Sequence, residues 1–367
     1  MKRKQILNIK KAITFMSILF ILAMAAEAVF ADEIITTEEY RYILLEDGTA
    51  QIVKYIGEEQ DIDIPSEIDN IKVTSIGNNA FRENENLTSV TFPETITSIG
   101  KHAFRYCLNL TSVTIPDTVN SIGDFAFWQC VNLKTAHIPA SMEVIGNNVF
   151  NLCSNLTDIT IPDTVKSIGD CAFGGCESIC SITIPDSITY IGESAFFETG
   201  ITDIIIPDTI TSIESYTFAY CKNLINVTIP DSITSIGAEA FKGCRSLKRI
   251  TIPDTVKSIG YGAFEYCRSL EAIVIPDGVP AIELCTFCFC DNLASIIIPD
   301  SVTYIGTEAF WECTSLKSIV IPNSVSEISS YAFRDCDGLT LVVNKGSYAE
   351  QYCKEEDLTY IYSDANK

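Results

Sequence analysis

Cysteine gives this chain its greatest capacity for chemistry, because a thiol can form disulfides, bind soft metals or act as a nucleophile. The 367 residues include 15 cysteines. Ten recur at one position, three residues after a phenylalanine, and Asn84 and Thr199 fill that position in two further repeats. A position that accepts Cys, Asn or Thr requires a small side chain, and a buried free cysteine behaves as a small hydrophobe. The ten are Cys107, Cys130, Cys153, Cys176, Cys221, Cys244, Cys267, Cys290, Cys313 and Cys336.

These ten periodic cysteines are predicted to be structural free thiols, with a few incidental disulfides or a metal site as the alternatives. Side chains that stack in register point the same way, which strains the dihedral angle of a disulfide. The other five cysteines are better candidates for disulfides. Two of them form Cys285-x-x-Cys288, which is too isolated in the sequence to indicate zinc, so no metal site is predicted. The five are Cys171, Cys180, Cys285, Cys288 and Cys353.

Histidines and carboxylates form no catalytic pattern. The two histidines, His102 and His137, occupy different positions of different repeats, so they complete neither a triad nor a histidine-rich metal site. The sequence has no motif of serine hydrolases, zinc proteases or phosphate loops. Acids that follow the repeat proline are best explained by a turn; a calcium ladder or a glycosidase carboxylate pair is the alternative. We therefore expect no enzyme activity and no cofactor. These acids are Glu94, Asp117, Asp163, Asp186, Asp208, Asp231, Asp254, Asp277 and Asp300.

The elements that position these residues repeat with a period of 23, and only the interval from Phe196 to Phe218 is one residue shorter. A fixed period of this length with Leu and Ile at set offsets predicts a stacked solenoid in which each coil covers its neighbour. The shortened repeat predicts a local kink or a widened turn. The repeated phenylalanines are Phe81, Phe104, Phe127, Phe150, Phe173, Phe196, Phe218, Phe241, Phe264, Phe287, Phe310 and Phe333.

One repeat, residues 247–270, predicts the conformation of a coil. Ile250 and Ile252 alternate with polar residues, as in a short strand with one buried face. Pro253 ends that strand in a turn, and a second extended stretch runs over 256–259. The rest of the coil, 261–270, places its Ala, Phe, Cys and Leu at helix-like spacing, which predicts a short helical or 3₁₀ segment.

The consensus A-F-x-x-C-x-x-L-x-x-I-x-I-P-D-[ST]-V-x-x-I-G resembles the BspA-like leucine-rich repeat family, the fifth class of leucine-rich repeats. The resemblance implies a leucine-rich repeat solenoid of the α/β type: about 12 right-handed coils of 23 residues, built from short parallel β-strands, turns and short helical or 3₁₀ segments. We place the repeats at 71–343. They follow an N-terminal capping region at 32–70, with a hairpin of 40–44 and 50–55, and precede a C-terminal cap at 344–367, with a helix near 347–354 and a final strand.

The first 31 residues combine a basic start, an apolar run and a small residue at position 31, which predicts a cleaved signal peptide over 1–31 and a secreted or cell-surface protein. The formal net charge is −23, and cleavage removes mainly basic residues. So acidic a chain is not expected to bind nucleic acid or anionic lipid, nor to insert into a membrane after cleavage.

Two surface positions depart from the consensus. The outward residue between the two strand isoleucines is polar in early repeats but aliphatic in several later ones, which predicts an exposed aliphatic stripe suited to binding. Sheet propensity alone explains β-branched residues there equally well. We call this set the strand face: Ile205, Thr228, Thr251, Val274, Ile297 and Val320.

The second position lies one or two residues after the repeat phenylalanine and holds seven aromatics. Aromatics there either contact a protein or sugar ligand or pack across neighbouring coils. We call this set the aromatic edge: Tyr106, Trp128, Phe197, Tyr220, Tyr266, Phe289 and Trp311.

The resemblance implies a non-enzymatic adhesion protein that binds host or neighbouring-cell macromolecules, with matrix and plasma proteins as the expected ligands. We expect a monomer, with glycans as the second class of ligand. A polysaccharide-associated module and a structural spacer of a surface layer remain the alternatives.

Overall fold

The computed structural model describes residues 33–363, so the predicted signal peptide lies outside the described residues. The chain forms a parallel β-solenoid of about 14 turns of about 23 residues with little helix. The leucine-rich repeat solenoid is thus confirmed, and the cap coils add to the 12 repeats counted on phenylalanine. Within the described range, no helix has the length and apolar character needed to cross a membrane.

Each coil contributes a strand to one or both of two parallel ladders. The first ladder lies before the repeat proline, and its Ser112–Thr114 strand pairs in register with Ser89–Thr91. Its strands are Asp61–Asp63, Ser89–Thr91, Ser112–Thr114, Thr135–Ala136, Asp203–Ile205, Asn226–Thr228, Ala272–Val274, Ser295–Ile297, Ser318–Val320, Thr340–Val343 and Tyr360–Tyr362.

The second ladder follows the proline turn, in which the Val119 N–H donates to the Pro116 carbonyl over 3.1 Å. Register is kept because equal positions pair, as Ser121 does with Ser98. Its strands are Ile71–Ile76, Ser98–Ile99, Ser121–Ile122, Val144–Ile145, Ser167–Ile168, Tyr190–Ile191, Ser212–Ile213, Ser235–Ile236, Ser258–Ile259, Ala281–Ile282, Tyr304–Ile305 and Glu327–Ile328.

Both ends of the stack carry additional elements. Tyr40–Leu44 and Ala50–Tyr55 form an antiparallel hairpin, and Ala50–Tyr55 pairs in parallel with Ile71–Ile76, where the second ladder begins. At the other end the helix Tyr348–Glu355, capped by Ser347, precedes the strand Tyr360–Tyr362. The remaining N-terminal strands are Ile35–Thr36 and Glu67–Ile68.

The segment around each repeat phenylalanine is a series of turns, and the predicted helical or 3₁₀ segments are wrong. Alternate N–H groups leave the coil: the Phe104 N–H donates to Ala126 O in the next coil over 2.7 Å, whereas the Arg105 N–H donates to His102 O within its own coil over 3.2 Å. A helix keeps all such bonds internal. Residues two before and two after each phenylalanine have positive φ, as at His102 (57°) and Tyr106 (63°). Helix-like spacing of apolar residues is therefore produced here by left-handed turns.

A row of stacked phenylalanines forms the centre of the core; we call it the Phe column. From Phe81 to Phe333, neighbouring ring centroids lie 4.8–5.9 Å apart with interplanar angles of 3–16°. All twelve rings are buried. Tyr55 continues the row at the N-terminal end, and Tyr352 of the helix contacts Phe333 edge-on. The caps therefore cover the rings that have no further coil beside them.

The shortened repeat leaves the Phe column intact. Phe196 and Phe218 stack at 5.7 Å and 3°, as elsewhere in the row. The coil is shortened at Gly200, where a Cβ would lie 2.2 Å from Glu177 O, so only glycine fits. The predicted kink is not seen in the ring row, although the second ladder is interrupted between Tyr190–Ile191 and Ser212–Ile213.

Candidate binding surfaces

Every member of the strand face is exposed, and all but Thr251 lie on strands of the first ladder. Val274 and Ile297 are directly paired, and Val320 follows at the same position of the next coil. Their exposed fractions are 54%, 59% and 59%. Aliphatic side chains on adjacent strands make one contiguous apolar strip, which is the kind of surface that marks an interface.

The strip is longer than the sequence indicated. Val320 pairs with Val342, and Val342 pairs with Ile361 of the last strand, whose side chain is 55% exposed. We call Val274, Ile297, Val320, Val342 and Ile361 the aliphatic stripe. At about 4.8 Å per strand it spans about 19 Å. Neither Val342 nor Ile361 follows the 23-residue spacing: Val342 comes 22 residues after Val320, and Ile361 lies beyond the helix. The alternating apolar pattern of 340–343 was the available signal.

Small residues border the aliphatic stripe. The outward positions two residues earlier on these strands are Ala272, Ser295, Ser318 and Thr340. In the preceding coils the same position carries Asp203, Asn226 and Arg249. A row of small side chains leaves the aliphatic groups accessible to a flat partner.

The other strand-face residues do not join the stripe. Ile205 is 70% exposed but is separated from Val274 by Thr228 and Thr251, which are exposed and polar. Three coil spacings amount to about 14 Å. The structure therefore divides the predicted strand face into an isolated Ile205 and a continuous C-terminal strip.

The aromatic edge divides into three half-buried clusters packed across neighbouring coils. Tyr106 contacts Trp128 at 5.1 Å, and Phe197 contacts Tyr220 at 5.5 Å between ring centroids. In the third cluster, Phe289 stacks on Tyr266 at 4.6 Å and 5° and contacts Trp311 at 4.6 Å. Much of this aromatic surface is thus used in contacts between coils, which is what the packing interpretation of these residues predicts.

Arginines cover the tryptophans of this edge. The Arg105 guanidinium lies 4.1 Å from the Trp128 ring centroid, and that of Arg334 lies 5.2 Å from Trp311. The Trp311 Nε1–H donates to Asp335 over 2.9 Å. Cation–π contacts therefore hold the indoles against the coil.

The periodic cysteines form a ladder of thiols without disulfides. Each Sγ lies near the carbonyl of a phenylalanine in the preceding coil, as Cys107 does at 3.1 Å from Phe81 O. Burial raises the pKa of Cys107 to about 12, so the thiol stays protonated and can donate to that carbonyl. All cysteines of the described residues are free. The structure therefore agrees with the sequence that these ten cysteines serve the packing of the coils.

The acids after the proline occupy exposed turns. Asp117 accepts from the Ala140 N–H over 2.9 Å and from His137 over 3.1 Å, and these bonds lower the pKa of its carboxyl. His102 lies apart, stacked on Phe125 at 5.0 Å. The serine or threonine that follows the acid donates to the preceding coil, as Thr118 does to Ile96 O over 2.8 Å. The Pro-Asp-[Ser/Thr] pattern is therefore explained by turns and by contacts between coils.

One cluster combines residues that the sequence did not bring together. Cys285, Cys288 and Glu308 place their ligand atoms within 4.8 Å of one another, and they are the only such group of three among residues 33–363. Glu308 escaped notice because it lies in the next coil, although the 23-residue period puts it at the position of Cys285.

A groove of about 430 Å³ with a mixed polar and apolar lining lies where the second ladder is interrupted between Ser121–Ile122 and Val144–Ile145. Asn120, Asp124 and Glu143 line it. It is open and shallow, and it lies away from the aliphatic stripe.

Comparison with known proteins agrees with this geometry. The model of the BspA type leucine rich repeat region matches residues 74–164, 143–267 and 211–340. A leucine rich cell surface protein of Faecalibacterium prausnitzii is 28% identical, with a TM-score of 0.55, 88% of this chain covered and 97% of that one. A leucine-rich repeat protein of Bacteroides ovatus is 26% identical, with a TM-score of 0.58 and coverages of 90% and 100%.

The pneumococcal vaccine antigen PcpA, at 16% identity and a TM-score of 0.50 over 91% of this chain and 99% of that one, shows the fold alone. No curated protein matches this sequence.

Proposed function

This chain belongs to the BspA type leucine rich repeat family, and from that premise we propose that it is a cell-surface or secreted binding protein that captures a macromolecule, foremost a protein, on its aliphatic stripe. The solved relative from Faecalibacterium prausnitzii is described as a cell surface protein, which supports the location. The family consists of repeat proteins that generally act without catalysis, which supports a binding role rather than an enzymatic one.

The observation that carries the proposal is the continuity of the stripe. Val274, Ile297 and Val320 are each more than half exposed, whereas the middle residue of each of these strands is buried. Burying apolar surface contributes about 25 cal/mol per Å², so a repeat protein gains affinity from such a strip when a partner covers it. Polar residues at this position in the early coils, such as Thr91 and Thr114, show that the fold does not require aliphatic ones.

A protein partner fits this surface better than a sugar. Sugar rings usually stack on the faces of exposed aromatics, whereas the aromatic edge is half-buried and its rings contact each other across coils. The stripe offers aliphatic groups bordered by Ser295 and Ser318, whose hydroxyls suit the polar rim of a protein interface.

The experiment that tests the proposal is binding of residues 33–363 to an array of extracellular-matrix and plasma proteins, with a glycan array in parallel. Binding to one or more proteins and to no glycan supports it. Binding to glycans alone, together with a change in Trp128 or Trp311 fluorescence, would move the binding site to the aromatic edge. Failure to bind on either array, with end-to-end association of the particles, would favour a structural spacer.

A further inference from the structure

We propose that Cys285, Cys288 and Glu308 form a binding site for a soft divalent cation, Zn²⁺ foremost, which would connect two neighbouring coils next to the aromatic edge. The proposal is independent of the ligand that the aliphatic stripe binds. It rests on the convergence of two thiols and a carboxylate from two different coils at one point of the surface.

The solenoid brings the three groups together through its repeat. Cys285 lies two residues before Phe287, and Cys288 lies one residue after it, so both thiols lie on the same turn segment. Glu308 holds the position of Cys285 in the following coil, where stacking places it beside that thiol. A related ion pair occurs elsewhere: Lys242, at the position of Cys288, bonds Glu239, at the position of Cys285, over 2.6 Å. Lys242 also bonds Glu265, which has the position of Lys242 in the next coil, over 2.9 Å.

The observed distances suit tetrahedral zinc. With zinc–sulfur bonds of about 2.3 Å and a zinc–oxygen bond of about 2.1 Å, tetrahedral ligand atoms lie about 3.6–3.8 Å apart. Cys285 Sγ lies 3.6 Å from Glu308 Oε2. All three ligand atoms lie within 4.8 Å of one another, so side-chain rotations that move them by about 1 Å or less complete the arrangement. Water would take the fourth position, as in zinc sites with three protein ligands.

The surroundings favour a cation. Glu265 lies in the preceding coil, near enough to interact electrostatically with both thiols. The nearby Lys242 is held by two carboxylates and does not oppose a metal. Thiolate sulfur together with a carboxylate oxygen selects zinc or cadmium over magnesium and calcium, which prefer oxygen ligands alone.

A bound ion would also fix the aromatic edge. Phe289 directly follows Cys288, and Trp311 lies three residues after Glu308 on the next coil; their ring centroids are 4.6 Å apart. A metal ion that joins the two coils would therefore stiffen the third aromatic cluster, and metal binding should change the fluorescence of Trp311.

The experiment measures zinc bound by reduced residues 33–363 after dialysis, together with the thiolate-to-cadmium charge-transfer absorption after replacement by Cd²⁺. We expect one equivalent of zinc and a cadmium–thiolate band in the wild type. Cys285→Ser and Cys288→Ser should each abolish the band, and Glu308→Gln should retain it while weakening binding about tenfold or more.

Cys171→Ser is the matched control. Cys171 has the same position in its coil and the same φ of 52° as Cys285, but Gly174 replaces the second thiol and Ser194 replaces the carboxylate. This variant should bind zinc like the wild type. Equal zinc content in the wild type and Cys285→Ser would overturn the proposal. So would a Cys285–Cys288 disulfide that persists in the reduced preparation, identified by mass spectrometry as the loss of two hydrogens.

Discussion

Replacing a central ring of the Phe column tests how the coils hold together. Phe241 is fully buried between Phe218 and Phe264, whose ring centroids lie 5.6 and 5.7 Å away. Phe241→Leu keeps most of the apolar volume and removes both ring contacts. Each aromatic pair contributes about 0.5–1.5 kcal/mol beyond its buried area, so we expect the free energy of unfolding to fall by about 1–3 kcal/mol. Phe241→Ala also leaves a cavity and should cost about 3–5 kcal/mol.

The control for this substitution is Phe92→Ile. Phe92 is buried on the first ladder, at a position where the following coils carry Ile115 and Ile138. It contacts the Phe column only edge-on, at 5.7 Å from Phe104. Restoring isoleucine should therefore change the free energy of unfolding by less than about 1.5 kcal/mol.

The assay is urea unfolding followed by circular dichroism and by tryptophan fluorescence, because long repeat arrays can unfold in parts and two signals reveal it. The reasoning is refuted if Phe241→Leu is as stable as the wild type. It is also refuted if Phe92→Ile costs as much as Phe241→Leu, since stacking within the column would then have no special weight.

Two further predictions concern the backbone and the C-terminal cap. Glu312 has a φ of 60°, which glycine adopts freely and a β-branched residue does not. Glu312→Gly should therefore leave thermal stability unchanged or raise it, whereas Glu312→Val should lower the free energy of unfolding by about 1–2 kcal/mol. Equal melting temperatures for the two variants would contradict the left-handed turn. Hydrogen bonds from Lys354, the Gly346 N–H and Tyr362 lower the pKa of Glu350 to about 2. The contribution of the ionised carboxylate to stability is therefore complete above the unfolded pKa of about 4.3 and is lost as the pH falls towards 2. Acid titration of Glu350→Gln should show less loss of helix stability in that window than the wild type or the control Glu355→Gln.

The repeat made most of the fold predictable. A period of 23 with Ile250, Ile252 and Pro253 at fixed offsets specifies strand, turn and stacking, because only in-register coils bury those residues together. The Phe segment was misread as helical since left-handed turns and a helix give a similar spacing of buried residues. Periodicity of side chains does not reveal where the N–H groups donate, and here every second one donates to the next coil.

The candidate surfaces were predictable only where the period held. Val274, Ile297 and Val320 follow the 23-residue spacing and are predictable from it. Val342 comes 22 residues after Val320, and Ile361 lies beyond the C-terminal helix, so neither follows that spacing. The interpretation of the aromatic edge stayed open because sequence gives no distances between coils, and ring contacts such as Tyr266–Phe289 depend on those distances.

The most direct test of the account compares binding of a protein ligand, chosen from the matrix and plasma array, to residues 33–363 as wild type, Ile297→Asp and Thr160→Asp. Both substitutions place a carboxylate at the same exposed position of a coil, but only Ile297 lies within the aliphatic stripe. We predict that Ile297→Asp abolishes binding, that Thr160→Asp binds like the wild type, and that both variants keep the wild-type circular dichroism. Equal binding by all three proteins would contradict it.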